Sequence, residues 1–292
     1  MSSSIVTVRT IADLRGHVTG WKRDGESVGV VPTMGALHAG HLALVEAAKQ
    51  RCDRVIVTLF VNPKQFERAD DLAAYPRTEE ADRQQLAPYG PDVLYAPTGE
   101  TMYPQSFATT ISVGGVSEGL CGAHRPGHFD GVATVVTKLF MQTQADVAFF
   151  GEKDYQQLQV IRRMTSDLDI PVEIVGVPTV READGLALSS RNAYLTAAER
   201  GVAPALNRAL CRVAEGLVEG QPASKLTADA IEEIRGAGFR DVDYVEVREA
   251  GTLRPIERLE GEARVLGAAW LGKARLIDNV PAFPRAAAGG NG

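Results

Sequence analysis

The sequence predicts an α/β protein with a doubly wound parallel sheet and a second, smaller α+β domain at the C-terminal end. Between residues 28 and 177, short apolar runs rich in β-branched residues alternate with helix-like segments. One run, residues 54–61, is apolar almost throughout, which is typical of a strand buried on both faces of a parallel sheet. After Pro178 the alternation stops. We therefore expect a Rossmann-like first domain over residues 1–178 and a second domain over residues 179–284.

Each element of the first domain is predicted from its local pattern. Apolar residues at helical spacing, such as Ile11, Leu14 and Val18, predict a helix, and continuous apolar runs predict strands. The glycine- and proline-rich stretch 97–126 predicts loops with one strand at 109–113. The predicted helices cover residues 10–23, 41–52, 78–89, 129–144 and 155–168, and the predicted strands cover 28–31, 54–61, 92–96, 146–150 and 172–177.

The second domain begins with a turn and continues with helices and strands. Asp184-Gly185 is a hairpin turn signal. Thr196, followed by Glu199 at the third helical position, predicts the start of a helix that runs through Leu217. A second helix is predicted at 228–235, and strands at 242–247, 264–271 and 273–277. Residues 285–292 are predicted to form a disordered tail.

Composition narrows the functional classes. The net charge is −6 and the two signs are mixed along the chain, which argues against a nucleic-acid-binding surface. The chain contains no apolar run of roughly 18 residues that could span a bilayer and shows no secretory signal, so we expect no membrane partner. Three widely spaced cysteines fit a reducing cytoplasm and no disulfide framework. A cytoplasmic protein is the resulting expectation.

Residues 32–41, Pro-Thr-Met-Gly-Ala-Leu-His-Ala-Gly-His, form the most informative stretch. A strand that ends in a glycine-containing turn before a helix presents backbone N–H groups and the positive end of the helix dipole, and this arrangement suits a phosphate. His38 and His41 lie at the turn and the helix start, so both imidazoles can point toward the strand end. Half of a metal site and two unrelated polar residues on a solvated helix are the alternatives.

Two further loops are predicted at the same edge of the sheet, after the strands that end near Val61 and Phe150. The chain contains neither a Gly-x-x-x-x-Gly-Lys-Ser/Thr loop nor a Gly-x-Gly-x-x-Gly turn, so a bound nucleotide would use the His-x-Gly-His turn instead. Displacement of pyrophosphate from ATP requires cations and fixed donors around the phosphates. The candidates are His38, His41, Lys153, Ser189, Ser190 and Arg191.

Each of these candidates also has a simpler interpretation. A Lys-Asp pair such as Lys153-Asp154 is more often a surface feature, and a polar tetrapeptide such as Ser-Ser-Arg-Asn is common in loops. Gln65 and Gln157 could bind the hydroxyls and carboxylate of a small polar acid, or could be exposed glutamines. Asp82 could be a metal-side carboxylate, although an acid on a helix surface is the favoured interpretation.

Six stretches, matched in order and spacing, resemble the pantothenate synthetase family. They are residues 32–41, 60–66, 75–78, 125–129, 150–158 and 184–192. A late stretch, Ala-Ala-Trp-Leu-Gly-Lys-Ala-Arg-Leu-Ile-Asp-Asn at 268–279, is similar too, and the resemblance runs from about residue 5 to 280. Lys64 and Leu188 stand where methionine is frequent in the family.

The resemblance implies an amide-forming, AMP-forming ligase of coenzyme A biosynthesis. In such an enzyme the carboxylate of (R)-pantoate attacks the α-phosphate of ATP, giving an enzyme-bound pantoyl adenylate and pyrophosphate. The amine of β-alanine then attacks the acyl carbon and releases AMP. The resemblance also implies Mg²⁺ and a homodimer. It assigns ATP and pantoate binding to residues 1–178 and a lid function to residues 179–284.

The resemblance further implies roles for individual residues. His41 would be the catalytic proton donor, with His38 and Lys153 beside the phosphates. Gln65, Gln157 and Asn62 would bind pantoate or β-alanine, and no metal ligand is assigned. The ATP-binding residues would be Met34, Gly35, Ala36, Leu37, His38, Ala39, Gly40, His41, Gly151, Glu152, Lys153, Asp154, Val180, Leu188, Ser189, Ser190 and Arg191.

Two other functions compete with this one. A nucleotidyltransferase with the same His-x-Gly-His chemistry would need extra basic residues for a phosphorylated acceptor, whereas the acceptor side here offers Gln65, Gln157 and Asn62. Against a non-catalytic nucleotide-sensing module stands the joint presence of His38, His41, Lys153, Ser189, Ser190 and Arg191.

Overall fold

The computed structural model describes residues 5–66 and 69–284, and the chain folds into two compact units. The first unit contains the residues up to 117, together with 125–152 and 157–180. The second contains 118–124, 153–156 and the residues from 181 onward. The second unit therefore takes two short segments from the part of the chain that we assign to the first domain. The predicted tail, residues 285–292, lies outside the described residues.

Strands and helices alternate through the first 180 residues. In chain order they are β1 (Val6–Val8), α1 (Ile11–Arg23), β2 (Val28–Thr33), α2 (Ala39–Arg51), β3 (Arg54–Leu59), α3 (Ala69–Ala74), α4 (Glu79–Leu86), β4 (Val93–Tyr95), α5 (Gly99–Met102), α6 (Leu120–His124), α7 (His128–Thr143), β5 (Val147–Gly151), α8 (Tyr155–Asp167) and β6 (Glu173–Val177). Single 3₁₀ turns cover Pro63–Gln65, Ala87–Tyr89 and Glu152–Asp154.

The first unit is built on a six-stranded sheet with the order β1-β4-β3-β2-β5-β6. Every described pairing in this sheet is parallel, for example Val30 with Ile56 on one side and with Ala148 on the other. From β2 the chain adds β3 and β4 on one side, then returns to add β5 and β6 on the other. The predicted doubly wound sheet is confirmed, and its strand order reverses between β2 and β5.

The burial of the central strands explains their sequences. Val30, Val31, Val55, Ile56 and Val57 are fully buried, because helices cover both faces of a doubly wound sheet. A run without polar alternation is the pattern that this environment selects. Among the described residues no helix is both long and apolar enough to cross a membrane.

The second unit contains a three-stranded antiparallel sheet. Its elements are a 3₁₀ turn (Ser190–Tyr194), α9 (Ala197–Val202), α10 (Ala205–Val218), α11 (Ala223–Gly236), β7 (Asp241–Glu249), β8 (Ala263–Leu271) and β9 (Ala274–Ala282). The strands pair in the order β7-β8-β9. Side chains from α10 and from one face of the sheet share a core, and an added Cβ at Gly267 would lie 3.0 Å from Leu210 Cδ2. This is the predicted α+β architecture.

Three local predictions are wrong. Residues 109–113 form no strand. The Ile111 N–H instead donates to the side chain of Thr134, at Oγ1 (2.9 Å). The helix predicted from Thr196 to Leu217 is broken, because Pro204 has no N–H for the ladder of α9 and instead precedes α10. The helix predicted at 228–235 begins earlier, at Ala223. The capping box of Thr196 and Glu199 is confirmed.

Candidate active site

The loop after β2 turns sharply and delivers two histidines to the start of α2. Gly35 and Ala36 have φ angles of +85° and +51°, and this left-handed pair reverses the chain. His38 is the N-cap residue of α2, and its ring centroid lies 4.1 Å from that of His41. The predicted glycine turn and helix start are therefore present at the point where the strand order of the sheet reverses.

The two histidines cap the helix reciprocally, and this fixes their tautomers. The Gly40 N–H donates to His38 Nδ1 (3.2 Å), and the His38 N–H donates to His41 Nδ1 (3.3 Å). A ring nitrogen that accepts a hydrogen bond carries no proton, so the proton of each neutral imidazole is on Nε2. Each imidazole thus carries its N–H on Nε2 near the positive end of a helix, and donors at such a position stabilise phosphate oxygens.

A buried carboxylate, Asp82 of α4, holds the same loop from behind. Its Oδ2 accepts from the Ala36 N–H (3.0 Å) and its Oδ1 from the Leu37 N–H (2.8 Å), while the Thr78 hydroxyl donates to Oδ2 (3.1 Å). The residue is 1% exposed, so the interpretation of Asp82 as an acid on a helix surface is wrong. Because both oxygens accept backbone N–H groups, the carboxylate fixes the loop backbone and is a poor candidate for a metal ligand.

The turn after β3 places Gln65 beside the histidine loop. Gln65 Nε2 lies 3.0 Å from Met34 Sδ, so two of the predicted substrate loops meet within the first unit. Asn62 is 1% exposed, and its Nδ2 donates to Gln65 Oε1 (3.0 Å) and to the Gly131 carbonyl (3.0 Å). Its Oδ1 accepts from the Tyr103 hydroxyl (2.8 Å). Burial raises the pKa of Tyr103, which keeps this hydroxyl protonated.

The Arg-Pro-Gly-His-Phe motif supports Gln65 through its backbone. His128 Nδ1 lies 2.9 Å from the Gln65 carbonyl oxygen, and Arg125 donates to the same oxygen (3.2 Å). Arg125 also lies 3.0 Å from His128 Nε2. Since a carbonyl can only accept and a guanidinium can only donate, His128 carries its proton on Nδ1. The sequence motif is recognisable, but nothing in it indicates this supporting role.

Gly131 of α7 permits this packing. A Cβ built on Gly131 would lie 2.2 Å from the Lys64 carbonyl oxygen and 2.8 Å from the Gln65 nitrogen. Such distances are far below van der Waals contact, so any side chain here would displace the turn that carries Gln65. The sequence shows a glycine within a helical pattern but does not show the segment that approaches it.

The residues around β5 divide between the two units. Gly151 ends β5 and pairs with Val177 of β6, and Glu152 follows it. Gln157 lies half-buried in the first turn of α8, whereas its neighbour Gln156 accepts from the Cys121 N–H (2.9 Å) within the second unit. Gln156 is thus a structural residue, and substrate binding by Gln157 stays a prediction.

Lys153 belongs to the second unit and is not an ordinary surface lysine. Its side chain is 16% exposed, its Nζ lies 3.7 Å from Asp154 Oδ2, and its carbonyl accepts from Asn279 Nδ2 (3.0 Å). The surface interpretation therefore fails for Lys153 but fits Asp154, whose side chain is 48% exposed. Lys153 lines a cleft of the second unit together with Leu186, Ser189, Asn192, Asn207 and Asp278.

The hairpin of the second unit leads into the remaining predicted residues. Gly185 has a φ of +95°, and Arg181 pairs with Ala187 across the turn, which confirms the Asp-Gly turn signal. Ser189 Oγ accepts from the Arg191 N–H (3.2 Å) at the start of the 3₁₀ turn Ser190–Tyr194. Val180, at the end of the first unit, and Leu188 are both half-buried. Their contact with a nucleotide stays a prediction.

The comparison with known families decides the identity of the chain. The profile of the pantoate-beta-alanine ligase family matches residues 6–281. The chain belongs to this family. It is 61% identical over 278 residues to the pantothenate synthetase of Chelativorans sp. (strain BNC1), covering 95% of this chain and 98% of that one. The protein is therefore a ligase, and pantoate–β-alanine ligation is the reaction of its family.

Solved structures of pantothenate synthetases share the fold. The crystal structure of the pantothenate synthetase from Thermus thermophilus matches with a TM-score of 0.90 and 47% identity over 96% of this chain and 100% of that one. The pantoate-beta-alanine ligase of Francisella tularensis, complexed with beta-gamma ATP and beta-alanine, matches with a TM-score of 0.80 and 33% identity over 94% and 97% of the two chains.

Proposed function

We propose that the protein condenses (R)-pantoate with β-alanine in an ATP-dependent reaction through an enzyme-bound pantoyl adenylate, as a step of coenzyme A biosynthesis. One contact carries this proposal most directly, the approach of Gln65 Nε2 to Met34 Sδ. It joins the loop that suits a phosphate to the turn that suits a polar acid. Family membership supplies the acid and the amine, and the Francisella relative binds a form of ATP.

In the first half-reaction the pantoate carboxylate attacks the α-phosphorus, and the bond from that phosphorus to the bridging oxygen of pyrophosphate breaks. Negative charge grows on the departing pyrophosphate, where the Nε2–H groups of His38 and His41 donate and the α2 dipole adds a positive potential. His41 would serve as the catalytic donor. Lys153, whose side chain is 16% exposed, would donate from its Nζ to the phosphate oxygens.

Magnesium enters this scheme with the nucleotide, as Mg·ATP. Within residues 5–66 and 69–284, no group of three or more His, Cys, Asp or Glu side chains could hold a metal ion. Mg²⁺ is commonly bound by substrate phosphates, waters and one or two carboxylates instead of a protein cage. In this scheme the phosphates of ATP and bound waters would be ligands of the Mg²⁺.

The side-chain amide of Gln65 is oriented to donate to a carboxylate. Its Oε1 already accepts from Asn62, which leaves Nε2 directed at a thioether, a weak acceptor. The carboxylate or a hydroxyl of pantoate would be a stronger acceptor for the same N–H. Asn62 is better placed to orient Gln65 than to touch the substrate, and Gln157 would provide a second neutral amide for the acid.

In the second half-reaction the β-alanine amine attacks the acyl carbon of the adenylate. The bond from the acyl carbon to the phosphate oxygen breaks, AMP leaves, and the nitrogen loses a proton as the amide forms. Gly151 to Asp154, Val180 and Leu188 to Arg191 would hold the nucleotide during both steps. A cytoplasmic homodimer is part of this proposal, on the grounds of the family resemblance.

The rival functions fit less well. Family membership favours a ligase over a nucleotidyltransferase that acts on a phosphorylated acceptor. A nucleotide-sensing module would not require two histidines that cap one helix start reciprocally.

The proposal is tested by assaying the protein with Mg·ATP, pantoate and β-alanine. AMP release should require both organic substrates, whereas exchange of labelled pyrophosphate into ATP should require pantoate alone, since the adenylate forms before the amine reacts. AMP release in the absence of pantoate or β-alanine would show that the assignment is wrong. Exchange that occurs only when β-alanine is present would exclude a free-standing adenylate step.

A further inference from the structure

Two consecutive residues of β9, Asp278 and Asn279, have no role in the reaction described above, although they end a stretch that resembles the family. Both are buried, at 5% and 3% exposure. Consecutive side chains of a strand point to opposite faces of the sheet, so these two residues reach different surroundings from one position on the chain.

Asn279 holds the segment that contains Lys153. Its Nδ2 donates to the Lys153 carbonyl (3.0 Å), and its Oδ1 accepts from Arg264 of β8 (3.0 Å). The Arg264 guanidinium in turn lies 4.2 Å from the ring centroid of Tyr155, two residues after Lys153. The position of Lys153 therefore depends on the amide of Asn279 and on the stacked pair beside it.

Asp278 holds the hairpin that leads to Ser189 and Arg191. Its two oxygens accept from the two terminal nitrogens of Arg181 (2.7 and 2.9 Å), and Asn207 of α10 donates to Oδ2 (2.9 Å). Arg181 also donates to the Gly185 carbonyl (3.0 Å) and to the Asn279 carbonyl (3.1 Å). A bidentate pair with these added bonds fixes both the distance and the angle of the hairpin.

We propose that Asp278 and Asn279 are positioning residues that hold the two nucleotide-contacting segments of the second unit, the Lys153 turn and the 181–191 hairpin, in a fixed relation to each other. The inference rests on the proposed function, because that function gives both segments their contact with ATP. The Lys153 turn is attached to Asn279 and the hairpin is attached to Asp278. The distance between the two segments is therefore set by the single strand β9. Asn279 should then affect the chemical step through Lys153, and Asp278 should affect ATP affinity through the hairpin.

Asn279→Asp is the sharpest test of the first arm. The substitution keeps the size of the side chain and an oxygen for Arg264, but it replaces the donor to Lys153 with an acceptor. Misplacement of a charge-stabilising group by about 1 Å can cost up to roughly 100-fold in rate. We therefore expect kcat for pantoate-dependent pyrophosphate exchange to fall by about 10- to 100-fold, with KM for pantoate within about threefold of its original value.

Asp243→Asn provides the matched control. Asp243 lies in the same sheet, and its side chain is 9% exposed. It accepts from Trp270 (3.1 Å) and Arg275 (2.6 Å), and neither of these residues belongs to the two nucleotide segments. Like Asn279→Asp, this substitution replaces one planar group with its isostere. We expect kcat of this variant to stay within about twofold of the original, even where its melting temperature falls.

Arg181→Lys tests the second arm, because it keeps a positive charge opposite Asp278. Removal of Asp278 itself would leave a buried guanidinium unpaired and would destabilise the protein more. Lysine cannot form the bidentate pair or reach the Gly185 carbonyl at the same time. We expect KM for ATP to rise by about 5- to 10-fold with little change in kcat.

Hydrogen exchange separates failure of this inference from failure of the proposed function. Faster exchange at the amides of 153–156 in Asn279→Asp, and of 182–189 in Arg181→Lys, but not in Asp243→Asn, would support the positioning role even if the protein performed another reaction on ATP. Unchanged kcat in Asn279→Asp, or an equal loss in Asp243→Asn, would overturn the inference. Absence of pantoate-dependent pyrophosphate exchange in the unsubstituted protein would instead overturn the proposed function.

Discussion

The two edges of the parallel sheet use polar residues in opposite ways. At the amino edge, charged side chains form a partly exposed network in which Arg54 pairs with Glu26 and Asp92, and Asp92 also pairs with Lys49. Asp92 and Asp146 each accept a backbone N–H at the start of a neighbouring strand. At the carboxyl edge, buried groups hold loops: Asp82 holds the histidine loop, and Asn62 helps to hold the turn that carries Gln65.

This difference separates stability from function. A partly exposed ion-pair network tolerates the loss of one member, because the remaining groups reach water or keep other partners. A buried polar group that is the main anchor of a loop has no such reserve, and its loss leaves backbone donors unsatisfied. Substitutions at the carboxyl edge should therefore alter catalysis, and substitutions at the amino edge should alter only stability.

The largest effect is expected from His41→Ala. Removal of a Nε2–H donor to the departing pyrophosphate should lower pantoate-dependent pyrophosphate exchange by about 100-fold or more. The accompanying loss of a helix cap should cost only about 1 kcal/mol of unfolding free energy. Steady-state exchange kinetics and urea denaturation measure the two quantities. Exchange near the original rate would remove His41 from the mechanism.

Asp82→Asn should produce the next largest effect. The amide can accept at one oxygen only, so either the Ala36 or the Leu37 N–H would face another donor. An unsatisfied buried donor costs about 1–3 kcal/mol, and we expect unfolding free energy to fall by that amount. Exchange activity should fall by about 10-fold, because the histidine loop loses its anchor. Full activity at saturating Mg·ATP would show that the loop keeps its shape without this carboxylate.

Gly131→Ala should mainly weaken acid binding. The added methyl group would collide with the Lys64 carbonyl and move Gln65, so KM for pantoate should rise by about 10-fold while kcat changes less. Gly16→Ala is the matched control, because an added Cβ at this helical position has no neighbour within 4 Å. That variant should bind pantoate normally. Equal KM values in the two variants would contradict the role of Gly131.

The smallest effect is expected at the amino edge. Arg54→Ala removes the centre of the partly exposed network and should lower the unfolding free energy by roughly 1 kcal/mol. Kinetic constants for all three substrates should remain unchanged, since the site lies at the other end of the strands. Chemical denaturation and the AMP assay test both statements. A clear loss of activity would show that the two edges are coupled and would weaken the distinction drawn above.

Local sequence patterns were sufficient to predict most of the framework and the histidine turn. The apolar runs of β2 and β3 and the Asp-Gly hairpin turn are recognisable because their signals lie within a few residues. Two errors arise where the local signal is weak or misleading. β1 has only three residues, and the stretch 109–113 alternates like a strand but finds no partner. The break between α9 and α10 is an exception, because Pro204 signals it locally.

The sequence by itself determined the alternating fold, the glycine turn, and the two histidines three residues apart. Only the tertiary structure decided what holds them. Asp82 stands in a charged run that is typical of a helix surface, and it is buried because α4 packs against a loop 46 residues earlier in the chain. Gly131 and Asn279 likewise acquire their roles from segments distant in sequence. Periodicity reports which face of an element is buried, whereas the partner on that face is set by packing of the whole chain.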